Sequence, residues 1–216
     1  MSRVRERCTL ALYQVGLGLV LVPILGLCLY IIICLAISVP YHLVNSAKYP
    51  LSRDPRADLD MVLEQLRESP KEGWDLVEEA QRLVAARMAY SRRNSWDSYK
   101  VAFSRGMGYC VQKAEALKYL LDGLGFNSEI VQSLRNRFRG KQIHEYQSHG
   151  GVYGHAWLRV TIGTDSRFVC PGSIENSPGT YQFEILGRVT KYSGIRKWLG
   201  NLGSAMMNAI WDVEKK

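Results

Sequence analysis

Between Thr9 and Tyr41 the chain has no Asp, Glu, Lys or Arg. A run of that length without charge excludes an ordinary soluble amino terminus. Its heart, GLGLVLVPILGLCLYIIICLAISV, is far longer than the apolar core of a cleaved signal peptide. Internal repeats and low-complexity segments are also absent, which removes solenoid and disordered architectures. Cysteine is too sparse for a disulfide framework: Cys8, Cys28 and Cys34 lie in or beside the run, leaving only Cys110 and Cys170 beyond it. A dense basic patch is missing too. The net charge is +8, but the basic residues are scattered. The densest cluster, RNRFRGK at 135–141, reads as a solvated loop, so nucleic acid is a poor partner while an anionic surface or polymer fits.

The chain therefore reads as a single-pass membrane protein with one domain. Residues 1–8 form a short tail in which Arg3, Arg5 and Arg7 are opposed only by Glu6, which favours a cytoplasmic amino terminus and a domain on the periplasmic or extracytoplasmic side. Residues 9–41 are the transmembrane helix, with Pro23 near its middle as a kink, and residues 42–57 read as a linker. Its basic Lys48, Arg53 and Arg56 weaken the charge asymmetry across the span. The domain occupies 58–190, and 191–216 form an amphipathic helix. The default for that helix is packing on the domain; the alternative is an interfacial helix returning to the membrane, a position that Lys197, Trp198 and Trp211 suit.

Within the domain, Leu59, Val62, Leu63 and Leu66 recur at helical spacing over 58–68. Trp74, Val77, Ala80, Val84 and Met88 do so over 73–90, and Ala114, Leu117 and Leu121 do so from Cys110 to Asp122. The stretch SRRNSWDSYKVAFSRGMG between the last two reads as a loop. After Gly125 the pattern changes: SEIVQSL, GHAWLRVTI, SRFVCPG and TYQFEILG are short and rich in β-branched and aromatic residues, with Gly163-Thr164-Asp165 as a hairpin turn. Helices followed by antiparallel strands make an α+β domain.

Cys110 opens its helix directly after Gly106 and Gly108. The positive end of the helix dipole and unpaired backbone N–H groups favour thiolate there, so a lowered pKa is expected. A thiol nucleophile needs an imidazole to exchange its proton, and His155, at the start of a strand, is the natural partner.

The series LVAARMAYS, GYCVQKAEALKYLLDGLGFNSEIV, GHAWLRV and RFVCPGS, over roughly residues 75–175, resembles the core of the transglutaminase-like superfamily, cysteine enzymes of papain-like fold. The resemblance implies a central Cys-bearing helix packed on an antiparallel sheet, with Cys110 as nucleophile and His155 as base and acid. It also implies acyl transfer through a thioester, with hydrolysis of a peptide or amide bond as the expected outcome and no cofactor. One position departs from the pattern. The family's third residue is an acid about fifteen positions after the histidine, and the matching residue here is Cys170. Asp165 is the substitute candidate, and Glu175 and Asn176 are looser ones. Three other readings stay open: a catalytically inactive binding module, a Cys110–Cys170 disulfide that silences the thiol, and a zinc-type site of Cys110, His155 and Cys170 completed by His144 or His149.

Overall fold

In the computed structural model, which describes residues 2–52, 54–93, 95–138 and 152–211, the uncharged run lies inside one continuous helix, α1 (Ser2–Lys48). Its stretch Leu19–Val44 is long and apolar enough to cross a membrane. Both Pro23 and Pro40 are accommodated within the helix. The segment expected as a linker is thus helical to Lys48, because no helix breaker intervenes before Pro50, which disfavours helical backbone in the residue preceding it. A single 3-10 turn, Pro55–Ala57, follows.

Helices α2 (Leu59–Arg67) and α3 (Gly73–Arg87) bury the stripes that their spacing defines: Leu59, Val62, Leu63 and Leu66 on one, Val77, Ala80 and Val84 on the other. Asp58 caps α2 by accepting from the Asp60 N–H. Helix α3 stops at Arg87, short of Tyr90, because Ala89 and Tyr90 form strand β1, paired in parallel with β2 (Met107–Gly108). The expected loop between them contains a further helix, α4 (Tyr99–Arg105), started by the Ser98 hydroxyl accepting from Val101 N–H. Gly106 ends it in the left-handed region at φ 76, a conformation that suits glycine.

Helix α5 (Cys110–Gly123) is the central element, with Ala114, Ala116, Leu117, Leu120 and Leu121 fully buried. It packs on an antiparallel sheet of β3 (Asn127–Phe138), β4 (Val152–Ile162), β5 (Asp165–Val169) and β6 (Phe183–Ile185), in the order β5-β4-β3-β6, with β7 (Thr190–Lys191) also paired to β3. Gly163 and Thr164 form the predicted tight turn, closed by Ile162 opposite Asp165.

Leu158, Val160 and Val169 face the helices. On the other face a second core gathers Val131, Phe138, Trp157, Cys170 and Phe183. With apolar layers on both sides, β4 is buried continuously from His155 to Leu158. Arg135 to Phe138, expected in a loop, belong to β3: Asn136 and Phe138 are buried, while Arg137 pairs with Glu184 at 3.2 Å. The terminal helix α6 (Gly194–Trp211) packs chiefly against α1. The architecture is α+β, a Cys-bearing helix on an antiparallel sheet behind one apolar helix.

Candidate active site

Cys110 is the first residue of α5, and the Gln112 side-chain amide holds that helix end in place. Tyr109 N–H donates to Gln112 Oε1 at 3.1 Å, and Gln112 Nε2 donates to the Asp97 carbonyl at 2.8 Å. Around the Cys110 sulfur, the N–H of Ala156 is a donor, joined by the N–H groups of Val111 and Cys110 itself. The Ala156 contact sets the thiol against the peptide unit that follows His155. The residue as a whole is half-buried, while its thiol group lies deep among its neighbours. Its pKa moves up, not down: burial outweighs the Ala156 N–H, the Arg92 guanidinium and the helix-terminal N–H groups, all of which favour thiolate.

His155 is buried in an aromatic cage. Trp157 stacks at 5.7 Å, and Phe138 and Phe183 meet the ring edge-on at 5.1 and 4.9 Å. This apolar setting, followed by repulsion from the Lys113 ammonium, lowers its pKa to about 3. The imidazole Nε2 lies 3.2 Å from Cys170 Sγ. Cys170 therefore stands beside the histidine, with its thiol pushed up to about 12, chiefly by burial.

The other candidates fall elsewhere. Asp165 sits at the far end of the hairpin and is paired with Arg167 at 2.7 Å. From His155 it is separated by seven residues along β4, about 23 Å at strand rise, so it does not reach the ring. Glu175 accepts from Gln182 and takes no part. Asn176 is buried next to Cys170: its Nδ2 donates to the Cys170 carbonyl at 3.0 Å, while Gln81 Nε2 donates to the Asn176 carbonyl at 2.6 Å. It anchors the loop that carries Cys170. Both soluble-domain thiols are free, so no disulfide joins them. Among the described residues no group of three His, Cys, Asp or Glu is arranged to hold a metal; His144 and His149 lie outside them.

Two side chains that sequence reasoning passed over enter the site. Lys113, one turn after Cys110, is 3% exposed, and burial lowers its pKa to about 8 against the pull of Cys170 and Cys110. The signal was a lysine adjoining the apolar stripe of Cys110, Ala114 and Leu117. Gln132 lies directly opposite Ala156 in the β3–β4 ladder, hence on the face that Ala156 shares with the start of α5. It is buried, and its Nε2 has no hydrogen-bond partner. An orphaned buried amide donor is costly unless a ligand completes it.

No protein-family model matches the chain, and no curated protein does. Among solved structures it is similar to "a Putative Cysteine Protease from Cytophaga hutchinsonii", with a TM-score of 0.41 and 11% identity over 72% of this chain and 53% of that one. The chain thus spans about half the length of that structure.

Proposed function

We propose that the chain is a membrane-anchored thiol enzyme of transglutaminase-like type that transfers acyl groups through a thioester on Cys110, with hydrolysis of a peptide or amide bond as its reaction. The observation that carries this reading is a pair of contacts on neighbouring residues of β4, Cys110 Sγ with the Ala156 N–H and the His155 ring with Cys170 Sγ.

The resting pair is a neutral thiol beside a neutral imidazole, since burial raises the one and lowers the other. Proton transfer therefore accompanies attack. With Nε2 on Cys170, His155 takes the thiol proton at Nδ1 while Cys110 sulfur bonds to the carbonyl carbon. The oxyanion that develops is met by the Cys110 N–H and the Gln132 amide. The imidazolium returns its proton to the departing amine as the C–N bond breaks, leaving a thioester. Water, deprotonated by the same imidazole, then adds to the thioester, and the acid leaves as the thiol is restored. The His155 ring meets Cys170, and Lys113, charged below about pH 8, supplies positive charge that favours the anionic sulfur.

The test is release of a chromophore from a panel of peptide and acyl anilides. Turnover lost in Cys110→Ser and His155→Gln but kept in Asp165→Ala supports the proposal. Equal turnover in Cys110→Ser and wild type overturns it.

A further inference from the structure

The α1/α6 pair sits where a solvated domain should not be. Cys34 and Ser38 of α1 are fully buried, Cys34 Sγ lies 3.5 Å from Met206 Sδ, and a Cβ on Gly203 would come within 3.2 Å of the Tyr30 hydroxyl. At about 1.5 Å per residue, Tyr30 and Cys34 stand about 8 and about 14 Å from the midpoint of the uncharged run at Leu25. Half of a hydrocarbon core is about 15 Å. Helix α6 thus crosses α1 at a depth that the bilayer occupies. Its sequence fits: Trp198 to Trp211 holds no charged residue, and glycine at 200 and 203 permits close helix approach. Among its described side chains, Ile195, Trp198 and Ile210 are half or more exposed, and Ile32 and Leu43 of α1 are exposed as well.

The same helix touches the site. Tyr109, the residue before Cys110, hydrogen-bonds the Asn201 side chain, and Ser95 Oγ donates to the Asn201 carbonyl at 3.5 Å. Tyr192, two residues before α6, lies close enough to Cys110 for the thiolate charge to raise its own pKa further, after burial.

We propose that α6 is embedded in the domain-side leaflet beside α1, so that the anchor is a two-helix unit whose phospholipid contact continues up to the rim of the Cys110 site. This rests on the membrane reading of α1. The occupant is lipid because α6 packs on the apolar helix α1 at that depth and its sequence carries no charge between Trp198 and Trp211.

The experiment uses the full chain in vesicles of phosphatidylethanolamine and phosphatidylglycerol. A photoreactive benzoylphenylalanine replaces, one at a time, Leu27 in α1, Ile195 and Ile210 in α6, and Met61 on the exposed side of α2. Mass spectrometry then reads the adducts. Phospholipid adducts at Leu27, Ile195 and Ile210 with none at Met61 are expected. An adduct at Leu27 with either α6 position as blank as Met61 overturns the proposal alone. No adduct at Leu27 overturns the membrane reading on which it rests. Capture of a second copy of the chain by Ile195 or Ile210 in place of lipid shows a protein interface and also overturns it.

Discussion

In the proposed site, burial keeps the Cys110 thiol, the His155 imidazole and the Cys170 thiol uncharged at rest. Arg92 and Lys113 bring positive charge to it, and the Lys113 ammonium stabilises negative sulfur while opposing imidazolium. Lys113→Met should therefore slow alkylation of Cys110 by roughly tenfold below pH 8, the equivalent of one pKa unit. The difference should fade above that pH as the wild-type lysine loses its proton. A rate–pH profile with small thiol reagents checks this, and identical profiles would remove Lys113 from the site. Cys170→Asp puts a carboxylate about 3 Å from Nε2 and near the Lys113 ammonium. It should raise the His155 pKa and lower that of Cys110, whereas Asp165→Ala, which disturbs only the Arg167 pair, should leave both alone. Histidine NMR titration reads the first effect directly.

His155 also sets a pH dependence of stability. Its folded pKa is depressed, so in the window between about pH 3 and 6.5 the unfolded chain binds more protons and stability falls as pH drops. The limiting slope for one proton is about 1.4 kcal/mol per pH unit. Denaturant titrations at pH 5 and 7 should show this loss in wild type and not in His155→Gln. Equal losses would place the acid-sensitive group elsewhere.

Elements were legible in the sequence where their period was long and their caps ordinary. The stripes of α2 and α3, the start of α5 and the turn at Gly163-Thr164 all follow from spacing and turn chemistry. Short elements were not. Seven residues of α4 are too few to display a period, although Ser98 is a visible cap, and β1 is defined only by its partner Met107–Gly108. At the site, Cys110 and His155 were readable as types in settings, and the place of Cys170 as an alignment. Lys113 was not readable, because a lysine on a helix ordinarily lies at the surface, and Gln132 becomes significant only once the ladder sets it opposite Ala156. The register of α5's first turn is the element that the chemistry needs. Gln112→Ala orphans the Tyr109 N–H and frees the 97 loop, which should cost about 1–3 kcal/mol. Because it also loosens the sulfur's contact with Ala156, Cys110 reactivity should fall with it; thermal melting and alkylation rates measured together check both.

At the scale of the whole molecule, the domain is tied to its apolar helix instead of hanging from it. His42 Nε2 lies 3.6 Å from Asp97 Oδ1, whose other oxygen holds Arg105 at 2.7 Å, and the backbone carbonyl of Asp97 accepts from Gln112. Two steps thus connect the carboxyl-terminal end of α1 to the turn that bears Cys110, and α6 supplies a second connection through Asn201. The terminal helix had been readable as amphipathic, but its placement on α1 was not, since an apolar stripe does not name the surface that covers it. The most direct test of the central claim is intact and peptide-level mass spectrometry of the full chain after brief exposure to p-nitrophenyl acetate. The expected result is one hydroxylamine-sensitive acetyl group on the peptide carrying Cys110, slow to form in His155→Gln and absent in Cys110→Ser. Acetylation of Cys170 in its place, or an undiminished burst in Cys110→Ser, would contradict a thioester at Cys110.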